Sequence, residues 1–344
     1  MKLHPIFKIR EQATKEIVQL LDSVTLGTNG AHYRHLDTEE KISEADNPLF
    51  LSLERHEKVL GNITFCRRGK DWYVRYFAFD TMVQSAGKKK SGANKSGLLK
   101  TELTKFFSTA LKEGYKDSQV DSFYAYIDPN NEKSLWMSEN FGFRKVAEIA
   151  TQTYSRAHPK ESNRLVKIDK WTDVKDVVQE HFKDYNYYND VHIQKPPFYL
   201  LKDERGEILA FATISHANWE IKRLPGKFGG LLTKLIPYIP RIRKLIHPKE
   251  HSFIVPEAIL VKDNHSELLS ELLEGILAAE DKNLIIWWTD TNEPLYQDVK
   301  GQVKWGLLHK VIGVSNAHLV VKDTTERVVE RNQKPFYTIG FDFI

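Results

Sequence analysis

Glu257 is the one acid in the run Phe253-Ile254-Val255-Pro256-Glu257-Ala258-Ile259. Burying a carboxylate in apolar surroundings is costly, and a buried acid is a candidate proton acceptor for that reason. The alternative is an edge-strand glutamate turned to water, which Pro256 favours because proline cannot donate to a strand ladder. Two basic clusters have the charge to meet phosphate groups, and both read equally well as solvated faces. One is Lys88-Lys89-Lys90 with Lys95 and Lys100; the other is residues 222–249, which hold eight Lys/Arg and no acid. Gly87-Lys88-Lys89-Lys90-Ser91-Gly92 imitates the start of a P-loop, but Ala93-Asn94 follows where Lys-Ser/Thr is required. No G-x-G-x-x-G follows a strand, so a dinucleotide fingerprint is absent. The thirteen histidines show no metal spacing; His247 and His251 are four apart, but Pro248 interrupts a shared helix face. No metal site is expected. Cys66 is the only cysteine, which excludes an intrachain disulfide and a cysteine cluster. In Ile63-Thr64-Phe65-Cys66 it reads as an inert core thiol.

The elements that would position these residues follow one order, used twice. Phe123-Tyr124-Ala125-Tyr126-Ile127 runs into Asp128-Pro129-Asn130-Asn131-Glu132, then a helix to Asn140, then Phe141-Gly142-Phe143. Leu284-Ile285-Ile286-Trp287-Trp288 runs into Asp290-Thr291-Asn292-Glu293-Pro294, then a helix over 293–304, then Trp305-Gly306-Leu307 and a strand from His309. An internal repeat fixes the architecture before any single motif does. In the first copy, alternation and helical spacing place strands at 7–10, 49–53, 59–65, 72–79, 122–127 and 145–154. Helices fall at 17–24 and from Ser96 to a stop at Gly114. In the second copy strands fall at 164–168, 198–202, 208–215, 252–261 and 284–288, with two more closing the chain. Residues 157–163 read as the linker.

At 344 residues the chain is long for one core, which favours two domains, 1–157 and 163–344. With 41% hydrophobic and 28% charged residues the composition is that of a globular protein, and a net charge of +4 requires no polyanion partner. No apolar run reaches the roughly 20 residues of a membrane span, and Met1-Lys2-Leu3-His4-Pro5 lacks a signal-peptide core. The expected compartment is the cytoplasm. A helical insertion at 226–246, apolar and basic and broken by Pro237 and Pro240, distinguishes the second copy. It reads as a lid over a pocket, a membrane-surface element, or core.

This order of elements resembles the GNAT acyltransferase superfamily, in a tandem double-GNAT arrangement, best from Leu49 to Tyr154. The fold class implied is α/β (α+β): two consecutive GNAT-like domains, each a mixed central sheet flanked by helices. The resemblance implies an acyl-CoA-dependent N-acyltransferase, in the first place an N-acetyltransferase, moving an acyl group from acetyl-CoA or another acyl-CoA to a small-molecule or peptide amine. Nucleic acid is not an expected partner. Pantetheine would bond to the fourth-strand backbone at Phe77 to Phe79, and the pyrophosphate would sit on the following helix start, Asn94-Lys95-Ser96-Gly97-Leu98-Leu99. Only Gly97 matches the family loop fully; Asn94 stands where Arg or Gln is usual and Leu99 where a small residue is usual. Asn131 matches the family asparagine that binds pantetheine, Ser134 the small residue after it. Ser138 stands where a tyrosine protonates the leaving thiolate. Glu257 is the candidate base for the acceptor amine. The segment Lys262-Asp263-Asn264-His265-Ser266-Glu267 has no glycine and two acids, so the second copy is expected to bind no cofactor. The alternative reading is a degenerate CoA-binding or structural module without turnover.

Overall fold

The computed structural model describes every residue except 1, 28–30, 57, 80–94, 225 and 325–333, and for Lys95, Ser96 and Arg241 the backbone alone. The strands, numbered along the chain, are β1 (Phe7–Arg10), β2 (His32–His35), β3 (Pro48–Arg55), β4 (Lys58–Arg68), β5 (Asp71–Phe79), β6 (Ser122–Ile127), β7 (Arg144–Ser155), β8 (Leu165–Ile168), β9 (Phe198–Lys202), β10 (Ile208–Arg223), β11 (His251–Val261), β12 (Leu284–Asp290) and β13 (Ser315–Asp323). The chain forms two compact units, the first from Met1–Leu26, Asp37–Val146 and His318–Asn332, the second from Gly27–Leu36, Ala147–Ala317 and Gln333–Ile344. The sequence halves 1–157 and 163–344 and these spatial units differ at their edges. β13 belongs mostly to the first unit, whereas β2 and most of β7 belong to the second.

In the first unit the sheet order is β1-β3-β4-β5-β6-β13, antiparallel throughout except for the parallel β5–β6 pair. Its helices are α1 (Lys15–Asp22), α2 (Thr38–Ser43), α3 (Lys95–Glu113) and α4 (Glu132–Asn140). Helical spacing puts Leu103, Phe106, Phe107 and Ala110 on one stripe of α3, and that stripe is buried against Phe65, Trp72 and Phe123 of the sheet. α3 stops where expected: Gly114 has φ +76°, and a side chain there would also meet the Ser118 carbonyl at 2.6 Å. On the opposite face Ile17 and Leu21 of α1 pack with Phe50, Val59 and Ala78. The β3–β4 ladder ends with Arg55 opposite Lys58.

The second unit has the order β7-β12-β11-β10-β9-β8, with β2 pairing on the far end of β10. Its helices are α5 (Lys175–Phe182), α6 (Gly229–Leu235), α7 (Pro240–Arg243), α8 (Ser266–Ala279), α9 (Pro294–Val299) and α10 (Leu307–Ile312). Leu269, Leu272, Leu273, Ile276 and Leu277 of α8 fill the core against Tyr154, Tyr199, Ala212 and Ile285. Two expectations fail here. Residues 307–312 form a helix rather than a strand, because Gly306, at φ +105°, turns the chain into a new helix start. Only β13 closes the chain as a strand among the described residues; residues 340–343 form a 3-10 turn instead. The insertion breaks at its prolines, as α6, a 3-10 turn Ile236–Tyr238 and α7.

Candidate functional site

The first unit's sheet opens between β5 and β6. Their parallel ladder holds only Asp71↔Ser122, Trp72↔Phe123 and Tyr73↔Tyr124. Beyond Tyr73, β5 continues to Phe79 with no further β6 partner in that register. The divergence coincides with a bulge: Thr64 pairs with Tyr76 and Phe65 with Val74, so Arg75 is the extra residue. A bulge bends and twists its strand, which turns the end of β5 away from its parallel neighbour. Phe77 and Phe79 lie on this divergent end, their rings 5.0 Å apart. The Phe79 ring crosses Gly61 so closely that a β-carbon there would lie 2.3 Å from it.

α3 begins beside this chain segment in sequence. Asn94 lies outside the described residues, as does the Lys88-Lys89-Lys90 cluster. Lys95, Ser96 and Gly97 form the first turn of α3, which carries no acid. A 19-residue helix presents its unpaired N–H groups and positive dipole end at this turn. No described atom lies within 4 Å of where a Gly97 side chain would begin. Leu98 and Leu99 pack on the core. Leu99 lines an apolar crevice with Phe7, Leu51, Gly61, Phe79 and Leu103. Leu99 is thus turned into the sheet packing.

Asn131 caps α4, its side-chain oxygen accepting the Ser134 N–H at 3.1 Å. That fixes both residues at the helix start, one turn after β6 ends. Ser138 lies a turn further on and its hydroxyl donates to the Leu135 carbonyl at 2.8 Å. Its proton is thus directed back into its own helix.

A buried charge pair that sequence reading missed holds the root of the opening. Arg68 donates to Asp46 through Nε at 2.6 Å and Nη2 at 3.1 Å, and to the Tyr124 hydroxyl through Nη1 at 2.8 Å. Tyr124 is the last β6 residue in register with β5. Asp46 and Arg68 lie 22 residues apart, so no local pattern links them.

The second unit repeats the opening and then fills it. The β11–β12 ladder is a single parallel pair, Ile254↔Ile285. Its bulge falls between Pro256 and Ala258, which leaves Glu257 as the extra residue. Glu257 is 2% exposed, on a strand flanked by β10 and β12, so the water-facing edge position that Pro256 suggested does not occur. Its carboxylate accepts the Ser215 hydroxyl and, at 3.1 Å, the Phe341 N–H. The chain from Phe336 to Phe341 occupies the gap: Tyr337 donates to the Glu257 carbonyl at 2.5 Å, Thr338 to the Trp288 carbonyl at 2.7 Å, and the Phe336 N–H to Asp290 at 2.8 Å. A cavity of about 30 Å³ remains, lined by Glu257, Trp288, Glu293 and Tyr337 among others. That is room for about one water.

Glu293 takes the N-cap position of α9 as Asn131 does in α4, but without the side-chain capping bond that Asn131 makes. Burial pushes its carboxyl up to about 7, against the opposing hydrogen bonds from Tyr185 and the Leu295 backbone, with help from nearby Asp290. The Tyr185 hydroxyl donates to it at 2.9 Å. Asn131 and Glu293 thus hold equivalent N-cap positions in the two units. Between β11 and α8, Lys262–Asn264 form a 3-10 turn with Asp263 at φ 53°, not a glycine-rich phosphate loop. Among the described residues no group of three His, Cys, Asp or Glu is placed to hold a metal ion. Nor is any helix of those residues long and apolar enough to cross a membrane. Of the sequence candidates, Phe77, Phe79, Gly97, Leu98, Leu99, Asn131, Ser134 and Ser138 fall in the first unit and Glu257 in the second.

No protein-family model and no curated protein sequence matches the chain. Solved structures do. Saccharomyces cerevisiae N-myristoyltransferase with bound myristoyl-CoA superposes with a TM-score of 0.54 at 12% identity, over 94% of this chain and 80% of that one. A Pyrococcus horikoshii protein assigned provisionally as an acetyltransferase gives 0.53 at 10% identity, over 99% and 97%. Such likenesses establish the fold alone: the chain has the fold of the GNAT superfamily, α/β with mixed sheets flanked by helices.

Proposed function

We propose that the protein is an acyl-CoA-dependent N-acyltransferase that moves an acyl group, in the simplest case acetyl, from CoA to the amine of a small molecule or peptide. In this reading the 1–157 half carries the co-substrate, and the 163–344 half takes none and shapes the acceptor pocket or the fold. One observation carries the reading: the β5–β6 ladder ends at Tyr73↔Tyr124 while β5 runs on to Phe79, beside a helix whose first turn carries no acid. In its counterpart in the second unit Phe336–Phe341 bond to both diverging strands, which supports a second half without co-substrate.

In this reading the backbone of Phe77 to Phe79 takes up the amides of pantetheine. The N–H groups from Asn94 to Leu99 take up the pyrophosphate, and Asn131, with Ser134 beside it, lines the pantetheine path. The amine attacks the thioester carbonyl directly. Its proton passes to water: Glu257, the sequence candidate for the base, is buried in the second unit with its carboxylate accepting from Ser215 and Phe341. Ser138 is the position next to the leaving thiolate. Its hydroxyl is bonded to Leu135, so the thiolate takes its proton from water there. A cytoplasmic setting belongs to the same proposal.

The test is calorimetric titration with acetyl-CoA and with CoA, on the parent and on Gly97→Trp. Micromolar binding by the parent, lost in the variant, supports the site; binding by neither ligand overturns it. A second reading, CoA binding without turnover, is favoured by the back-bonded Ser138. CoA release monitored with a thiol reagent across a panel of amines separates the two, because a binding module releases none.

A further inference from the structure

Residues 226–246 carry a surface that acyl transfer does not use. One side is held down: Ile236, Leu245 and Ile246 are buried. The Leu224 N–H donates to the Thr233 hydroxyl oxygen at 3.0 Å, and that hydroxyl donates to the Gly229 carbonyl at 2.8 Å. A side chain at Gly229 would strike the Leu224 carbonyl at 1.7 Å, so α6 lies directly against the end of β10. The other side is apolar and open. Phe228, Leu231, Leu232, Leu235, Tyr238 and Ile239 are 42–82% exposed. Single exposed apolar side chains are ordinary, but six within one short segment mark an interaction surface.

The charges say what kind of surface it meets. Lys227, Lys234, Arg243 and Lys244 are exposed in the same segment, and no acid occurs from residue 221 to 249. A second copy of this chain would set cations against cations, which costs binding energy. A free phosphate would satisfy the cations and leave the six apolar side chains in water. An anionic lipid bilayer takes both: apolar side chains enter the boundary between headgroups and acyl chains, while cations stay at the lipid phosphates. Pro237 and Pro240 divide the segment into short pieces, which fits a shallow patch rather than one long surface helix.

We propose that residues 226–246 dock the protein on an anionic membrane surface, with Phe228, Leu231, Leu235 and Tyr238 inserted and Lys227, Lys234, Arg243 and Lys244 at the headgroups. The inference is independent of the acyl-transfer reading. Its test is co-sedimentation of the full chain with vesicles of phosphatidylcholine and phosphatidylserine at a 70:30 ratio (an ordinary anionic mixture, about a third charged) and with phosphatidylcholine alone. The expected result is binding to the anionic vesicles only. Lys234→Gln should weaken the partition about fivefold, the worth of one cation near such a surface. Leu231→Glu combined with Leu235→Glu should abolish it, with the circular dichroism spectrum and unfolding temperature unchanged because both positions are exposed. In a Phe228→Trp variant, tryptophan emission should shift to the blue on adding anionic vesicles. The proposal is overturned if the folded parent ignores anionic vesicles, or if the double glutamate variant binds them as the parent does. It is also overturned if sedimentation velocity shows a dimer that the double variant loses while vesicles bind neither.

Discussion

Asp46→Ala tests the claim that a buried charge pair holds the root of the first unit's opening. Both side chains of the pair are 2% exposed. Removing the carboxylate deletes two hydrogen bonds from Arg68 and leaves its guanidinium buried, with the Tyr124 hydroxyl and, at 5.3 Å, the Tyr73 ring still beside it. Breaking one partner of a buried pair costs about 3–5 kcal/mol, chiefly because the remaining charge stays desolvated. That is a third or more of the stability of an ordinary domain. With two units a single global unfolding free energy is ill defined, so the measurement is local. In hydrogen exchange read by mass spectrometry, peptides covering β4 and β6 should exchange roughly two to three and a half orders of magnitude faster. Peptides covering α8 should not change. Asp46→Leu with Arg68→Met should restore much of the protection, since an apolar replacement removes both charges together. A change below about tenfold in β4 and β6, or a double variant worse than Asp46→Ala, would refute the reasoning.

Three further outcomes are expected. Glu293 has a folded carboxyl raised from 4.5 to about 7. Its contribution to stability is therefore complete below about pH 4.5 and is lost as pH rises through 7; Glu293→Gln should remove about 3 kcal/mol of that pH dependence, read as hydrogen exchange of peptides covering α9 from pH 4 to 8, corrected for the intrinsic rate. Gly61→Val forces a side chain into the Phe79 ring, 2.3 Å from the ideal β-carbon; it should lower local stability by about 1–3 kcal/mol and weaken acetyl-CoA binding, read by hydrogen exchange of peptides covering β4 and β5 and by calorimetry. Tyr337→Phe deletes the bond to the Glu257 carbonyl; a loss of about 1 kcal/mol should speed exchange at residues 336–341 several-fold and leave acetyl-CoA affinity unchanged.

The strands and long helices were legible because their periodicity is local. α3 runs Lys95–Glu113 where the apolar stripe and Gly114 put it. β5, β6, β11 and β12 lie where aromatic and β-branched runs put them. β2 was not legible: His32–His35 is four polar or aromatic residues, and what makes it a strand is its pairing with Glu220 and its neighbours, far along the chain. The bulges at Arg75 and Glu257 were also hidden, since a bulge is a relation between two strands. Glu257 was noticed for its apolar surroundings, but its partners Ser215 and Phe341 come from distant segments. The filling of the second opening was invisible for the same reason. It depends on Phe336–Phe341, a stretch without strand or helix periodicity.

The pairing of β6 with β13 also sets an order of events during synthesis. Val320 and Val321, which lie opposite Ala125 and Tyr124, follow them by 195 and 197 residues. At roughly 5–20 residues per second a ribosome needs about 10–40 s to deliver that strand. Through this interval β6 has an open side, and an unpaired strand edge invites the wrong neighbour. The first unit, begun first, is completed late, and a chaperone bound to the nascent chain would find its natural substrate in that waiting edge.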